Sequence, residues 1–83
     1  MKQYVDDADG LFFKLSAIGF AGFPDRMAVF PGGRIVFIEL KQKGEKPRKL
    51  QLYYLRKLAR LGFRTEVVDS TEQAKEVVDR YGR

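Results

Sequence analysis

Neither cysteine nor histidine occurs anywhere in the 83-residue chain. Without cysteine there can be no disulfide and no thiolate zinc site. Without histidine, the commonest zinc ligand and the commonest general base are both missing, and Ser–His and Cys–His nucleophiles lack their partner. Any metal must be held by oxygen, and carboxylates and backbone carbonyls select hard cations such as magnesium or manganese. Long apolar runs are absent too, so no segment is of membrane-spanning length. Met1 to Gly10 carries Asp6, Asp7 and Asp9 and does not read as a signal peptide. A soluble cytoplasmic protein with no membrane partner is expected. The length fits a single domain over residues 1–83. So short a chain buries a modest share of its surface, which leaves oligomerisation as its remaining source of stability.

Acidic residues are scarce where basic ones gather. From Lys41 to Arg64 nine bases face a single acid, Glu45, a segment charge of +8 in a chain of +5 overall. A basic segment beside an acidic remainder points to a polyanionic partner such as nucleic acid. The plainer reading is a lysine-rich solvated helix face, although such faces ordinarily mix both signs.

The pattern of apolar residues predicts six elements. LFFKL, from Leu11 to Leu15, reads as a strand. Ser16 to Phe23, with Gly19 and Gly22, reads as a loop. Asp25 to Phe30 is a short strand after Pro24, and Pro31-Gly32-Gly33 a turn. RIVFIELK, from Arg34 to Lys41, is the most strand-like stretch, and its run from Ile35 to Ile38 fits a central strand covered on both sides. After a polar loop, Pro47 suits the first turn of a helix whose apolar stripe would be Leu50, Tyr54, Leu58 and Leu61, with Gly62 as terminator. Phe63 to Val68 reads as a strand, and Ser70 with Gln73 forms a capping box for a last helix with stripe Ala74, Val77, Val78 and Tyr81. The order β-β-β-α-β-α gives an α/β or α+β domain with a mixed sheet.

A turn centred near Gly32 sets Asp25 opposite Glu39, Met27 opposite Phe37 and Val29 opposite Ile35. Cross-strand partners share a face, with Cβ atoms roughly 5 Å apart. Lys41, two residues beyond Glu39, projects from that face as well. Like charges placed opposite are destabilising, so the two acids need a cation. Either Lys41 supplies it alone, in a self-satisfied triad, or the acids hold a divalent metal while Lys41 orients or helps deprotonate water.

The same residues resemble a known family. Pro24-Asp25, a hairpin, then Glu39-Leu40-Lys41 match the proline-aspartate…acid-x-lysine signature of the nuclease superfamily that includes many restriction enzymes. With Lys14, Gly22-Phe23-Pro24-Asp25, Phe37-Ile38-Glu39-Leu40-Lys41, Arg48, Gln51, Leu61-Gly62-Phe63 and Val67-Val68-Asp69-Ser70, the chain looks like the VRR-NUC family over about residues 10 to 75. The resemblance implies a restriction-endonuclease-like core. It implies Asp25 and Glu39 as metal ligands, the Leu40 carbonyl as a third, Lys41 as catalytic lysine, and Gln51 as a helix residue facing the site. Lys14 would be a basic residue of the first strand near the site; with it, the charge of the basic segment offers Lys43, Arg48 and Lys49 as nucleic-acid-binding residues. For Gln51 and Lys14 the plainer readings are an exposed helix residue and an edge-strand lysine. The family usually begins with a longer helix carrying a glutamate that completes the acidic cluster. Here about ten residues precede the first strand and hold no glutamate, so Asp6, Asp7 or Asp9 would have to stand in. The implied activity is a magnesium- or manganese-dependent, structure-selective DNA endonuclease, a homodimer akin to Holliday-junction resolvases, in a bacterial or phage-infected bacterial cell. The alternative is a non-catalytic nucleic-acid-binding module using the basic segment 41–64.

Overall fold

In the computed structural model the described residues are 1–16 and 19–82; residues 17 and 18, within the expected loop from Ser16 to Phe23, lie outside them, as does residue 83. The elements are α1 (Lys2–Asp7), β1 (Leu11–Lys14), β2 (Arg26–Phe30), β3 (Arg34–Leu40), α2 (Lys49–Arg60), β4 (Arg64–Val68) and α3 (Thr71–Tyr81). The mixed α+β order is the expected one, preceded by the helix α1 that the sequence pattern does not announce. Six residues are too few to show a helical period, and Met1 at its N-cap makes no side-chain capping bond. What holds α1 is tertiary: Val5 is wholly buried in the core.

One sheet runs in the order β1-β2-β3-β4. The first three strands are antiparallel neighbours, and β3 and β4 are parallel. Gly32 and Gly33 turn the β2–β3 hairpin at positive φ, +87° and +76°, a region open to glycine without steric cost. Because the turn carries no bulge, Arg26 pairs with Ile38, Met27 with Phe37 and Val29 with Ile35, the register expected from a centred turn. The parallel pair follows from α2, which carries the chain back across the sheet.

The faces differ. On one, Ala28, Phe30, Val36, Ile38 and Val68 meet Val5 of α1 and Ala74, Val77 and Val78 of α3. On the other, α2 packs on β4, and Phe23 sits edge-on to both Phe37 and Tyr54. β3 is therefore covered on both sides from Val36 to Glu39. Each fully buried aliphatic side chain there contributes about 1.5–3 kcal/mol relative to exposure.

The stripe expected for α2 holds at its middle, where Leu58 is buried and Tyr54 half-buried, and fails at both ends. Gln51, Leu55 and Leu58 are the buried positions, while Leu50 and Leu61 are 48% and 62% exposed. Both sets have helical spacing, and a polar side chain takes the buried place because the site needs it there. Pro47 precedes the N-cap Arg48 and so lies just outside the helix. At α3 the Ser70 Oγ accepts the Gln73 N–H at 3.2 Å. Gln73 Oε1 accepts from the Asp69 N–H at 2.7 Å and not from Ser70, so the returning half of the box is displaced by one residue. Among the described residues no helix is long and apolar enough to cross a membrane.

Candidate active site

Asp25 stands one step before β2, so the ladder that pairs Arg26 with Ile38 carries on to set it opposite Glu39. Its Oδ1 accepts the Leu40 N–H at 3.1 Å, and its carbonyl accepts the Leu15 N–H at 2.9 Å. Bonds to both neighbouring segments fix the carboxylate at the end of the sheet. The approach is fixed as well: Pro24 is fully buried, and Gly22, at φ +87°, lies so close to Leu50 that a Cβ would sit 2.8 Å from its Cγ.

Glu39 is only 4% exposed. Its Oε2 accepts from Gln51 Nε2 at 3.2 Å and lies 3.8 Å from Lys41 Nζ. Its Oε1 is buried with no hydrogen-bond partner. Burial raises the Glu39 pKa above the ordinary carboxylate value, and the negative charge of Asp25 raises it further. Lys41, the Asp25 backbone N–H and Arg48 pull it back without cancelling the rise. The site thus holds an anion whose charge it does not fully compensate.

Lys41 follows β3 and donates its backbone N–H to the Val68 carbonyl at 2.9 Å, which seats it beside β4. Gln51, 7% exposed, is no ordinary surface residue. Its Oε1 accepts the Arg48 N–H at 2.8 Å, which leaves its amide nitrogen to donate to Glu39. One side chain therefore ties the start of α2 to the buried acid. Leu40 joins through its backbone, while its side chain packs against the α1–α3 core.

The basic candidates divide. Arg48 is exposed, yet its charge acts on Glu39. Lys49 and Lys43 are exposed; Lys43 rides on a loop anchored by the Gly44 N–H donating to Asp69 Oδ2 at 3.1 Å. Lys14 does not join the cluster. It pairs with Arg26 in the β1–β2 ladder, which places it on the sheet face opposite Asp25 and Glu39. Asp6, Asp7 and Asp9 do not join either: Asp6 pairs with Lys2, and Asp7 and Asp9 line a hollow with Gly82. From α1 it is Gln3, not an acid, that shares a cavity of about 400 Å³ with Leu40, Lys41 and Asp69.

Arg26 is a neighbour that the strand pattern hides. Alternation sends it to the far face, yet its Nη1 reaches back to within 3.5 Å of Asp25 Oδ2; only the length of arginine allows this. Among the described residues no group of three or more His, Cys, Asp or Glu is placed to hold a metal. Two carboxylates meet, and each spends one oxygen on the protein: Asp25 Oδ1 on Leu40, Glu39 Oε2 on Gln51 and Lys41. Asp25 Oδ2 faces only the Arg26 guanidinium, at 3.5 Å, and the buried Glu39 Oε1 has no partner. A buried anionic oxygen with no donor is costly, and a hard cation fits that demand.

No protein-family model matches the chain. Among curated proteins it is similar to one described as "Putative nuclease p44", from Acyrthosiphon pisum secondary endosymbiont phage 1. The two are 40% identical over 63 residues, 76% of this chain and 68% of that protein. Among solved structures it is similar to one described as "VRR_NUC domain". That match has a TM-score of 0.88 and 32% identity, and covers 96% of this chain and 87% of the other.

Proposed function

This chain belongs to the VRR-NUC family, and from that premise we propose that it is a divalent-metal-dependent DNA endonuclease selective for branched substrates. Family membership makes it a nuclease; metal, substrate shape and assembly are the proposal. The observation that carries the metal is Glu39 Oε1, buried without a donor beside a second carboxylate. Magnesium or manganese would be held by Glu39 through its unpartnered Oε1 and by Asp25 through Oδ2, in place of the 3.5 Å contact to Arg26, with the Leu40 carbonyl beside them. When bound, such a cation polarises a phosphate oxygen and makes water acidic enough to attack phosphorus without a histidine.

The chain's own groups do the rest. Lys41 holds a positive charge 3.8 Å from Glu39 Oε2, where it orients the attacking water and neutralises developing charge. Gln51 keeps Glu39 in one orientation from α2. Exposed Lys43, Arg48 and Lys49 neutralise backbone phosphates near the site. A two-fold homodimer would present two equivalent sites to symmetry-related strands, as a four-way junction requires.

The test is incubation of a labelled four-way junction and a linear duplex with magnesium, manganese or EDTA. Paired incisions in the junction with either metal, slower cutting of the duplex and none in EDTA are expected. DNA binding without cutting in any metal would leave a binding module, and undiminished cutting in EDTA would remove the metal.

A further inference from the structure

The outer face of α2 carries charge that the site does not use. Lys49, Arg56 and Arg60 are exposed and follow one another at seven- and four-residue steps. At about 100° per residue they fall within roughly 40° of one line along the helix. Tyr53, 52% exposed, stands on the same line, and with Leu52 these residues edge a hollow of about 290 Å³. The line points away from Gln51, Leu55 and Leu58, the buried side of the helix.

Two features separate this stripe from a solvated face. α2, KLQLYYLRKLAR, contains no acid at all, and none of the three cations forms a salt bridge among the described residues. Arg56 and Arg60, one turn apart, repel each other, a small cost that an interspersed acid would have removed. The stripe also begins at the N-terminal end of the helix whose Gln51, on the opposite side, touches Glu39. It then leads away for about 16 Å along the axis, at 1.5 Å per residue.

We propose that Lys49, Arg56 and Arg60 form a track for the phosphate backbone of a duplex DNA arm leaving the cleavage point. The inference rests on the nuclease reading and adds where the DNA runs. A stripe of about 16 Å spans roughly five nucleotide steps of one strand. Its contacts are blind to sequence, because phosphates carry none. A duplex fits better than a single strand, because a single-strand groove lines up successive stacking rings and this face offers one exposed tyrosine.

The experiment is salt-dependent binding of duplex DNA, measured in EDTA so that no cleavage is required. Arg56→Gln/Arg60→Gln should lower the slope of log K against log salt by about 1.8 and weaken binding roughly tenfold at moderate salt. Lys75→Gln on α3, away from the track, should change neither. Single-turnover cleavage at saturating DNA should stay within twofold of wild type, since neither arginine touches Glu39 or Lys41. An unchanged slope in a variant with wild-type circular dichroism overturns the track. So does a variant that binds DNA normally but shifts its sedimentation, which would make the face a self-association surface. If the wild-type protein binds DNA but fails to cut it with either metal, the nuclease reading falls while the slope still decides the track.

Discussion

Glu39 is where function and stability pull against each other. Its pKa is raised in the folded protein, chiefly by burial and then by Asp25. The folded state therefore binds this proton more tightly than the unfolded one, and the stabilisation is full below the ordinary carboxylate range and lost as pH rises from there through the raised folded pKa. Without metal, the charged form of Glu39 is the one that the fold disfavours. Glu39→Gln should accordingly raise the melting temperature in EDTA while abolishing cleavage and leaving DNA binding near wild type. Magnesium should stabilise the wild type and not the variant. Calorimetric melting with and without metal checks this, and a lower melting temperature for Glu39→Gln in EDTA would refute the idea of an uncompensated acid. Asp25→Asn should likewise stop cleavage with DNA binding retained.

Lys41 makes a separate prediction at the same scale. In the proposed mechanism it supplies charge or a proton and is not a ligand, so Lys41→Ala should lower the cleavage rate by roughly 10²–10⁴-fold with metal binding kept. Titration calorimetry and a cleavage assay read the two effects independently. If metal binding and fold were lost together, the three residues would be a structural triad.

Among the elements, the loop before β2 is the most sensitive, because it delivers Asp25. Gly22 sits at φ +87° against Leu50 of α2. Gly22→Ala adds a left-handed penalty to a clash at 2.8 Å and should cost about 2–4 kcal/mol, with cleavage falling as Asp25 shifts. Gly32, at the same φ but with open space around its Cβ position, isolates the conformational part: Gly32→Ala should cost only about 1–2 kcal/mol. Denaturant melts of the two variants test the difference, and equal losses would mean that the approach of loop to helix contributes nothing. Gln51 acts at this scale too, since it couples α2 to β3 through Arg48 and Glu39.

For the whole molecule, the open question of assembly follows from area. The site-side face is covered by α2 near β4, but Leu11 and Phe13 of edge strand β1 remain 66% and 42% exposed. A chain this small gains stability by burying such surface against a second copy. Sedimentation at micromolar concentration should therefore show a homodimer, with a four-way junction bound by two subunits. A monomer under both conditions would remove the resolvase-like reading and leave a nicking nuclease.

By itself the sequence determined that any metal would be held by oxygen, the central place of β3 and the facing of Asp25 and Glu39. These follow from absences and from local periodicity: no histidine or cysteine, an unbroken apolar run in β3, and a glycine turn that sets register by counting. Chain position alone also placed the α3 stripe, since Ala74, Val77 and Val78 repeat with the helical period. Only the tertiary structure decided which residue opens the buried side of α2, because Leu50 and Gln51 compete for burial and Glu39 supplies the partner that lets the polar one win. It decided that Lys14 lies across the sheet from the acids while Arg26 reaches round to them, a matter of side-chain length that periodicity does not encode. It also decided α1, whose six residues fold because Val5 finds a core assembled by strands and a helix distant in sequence.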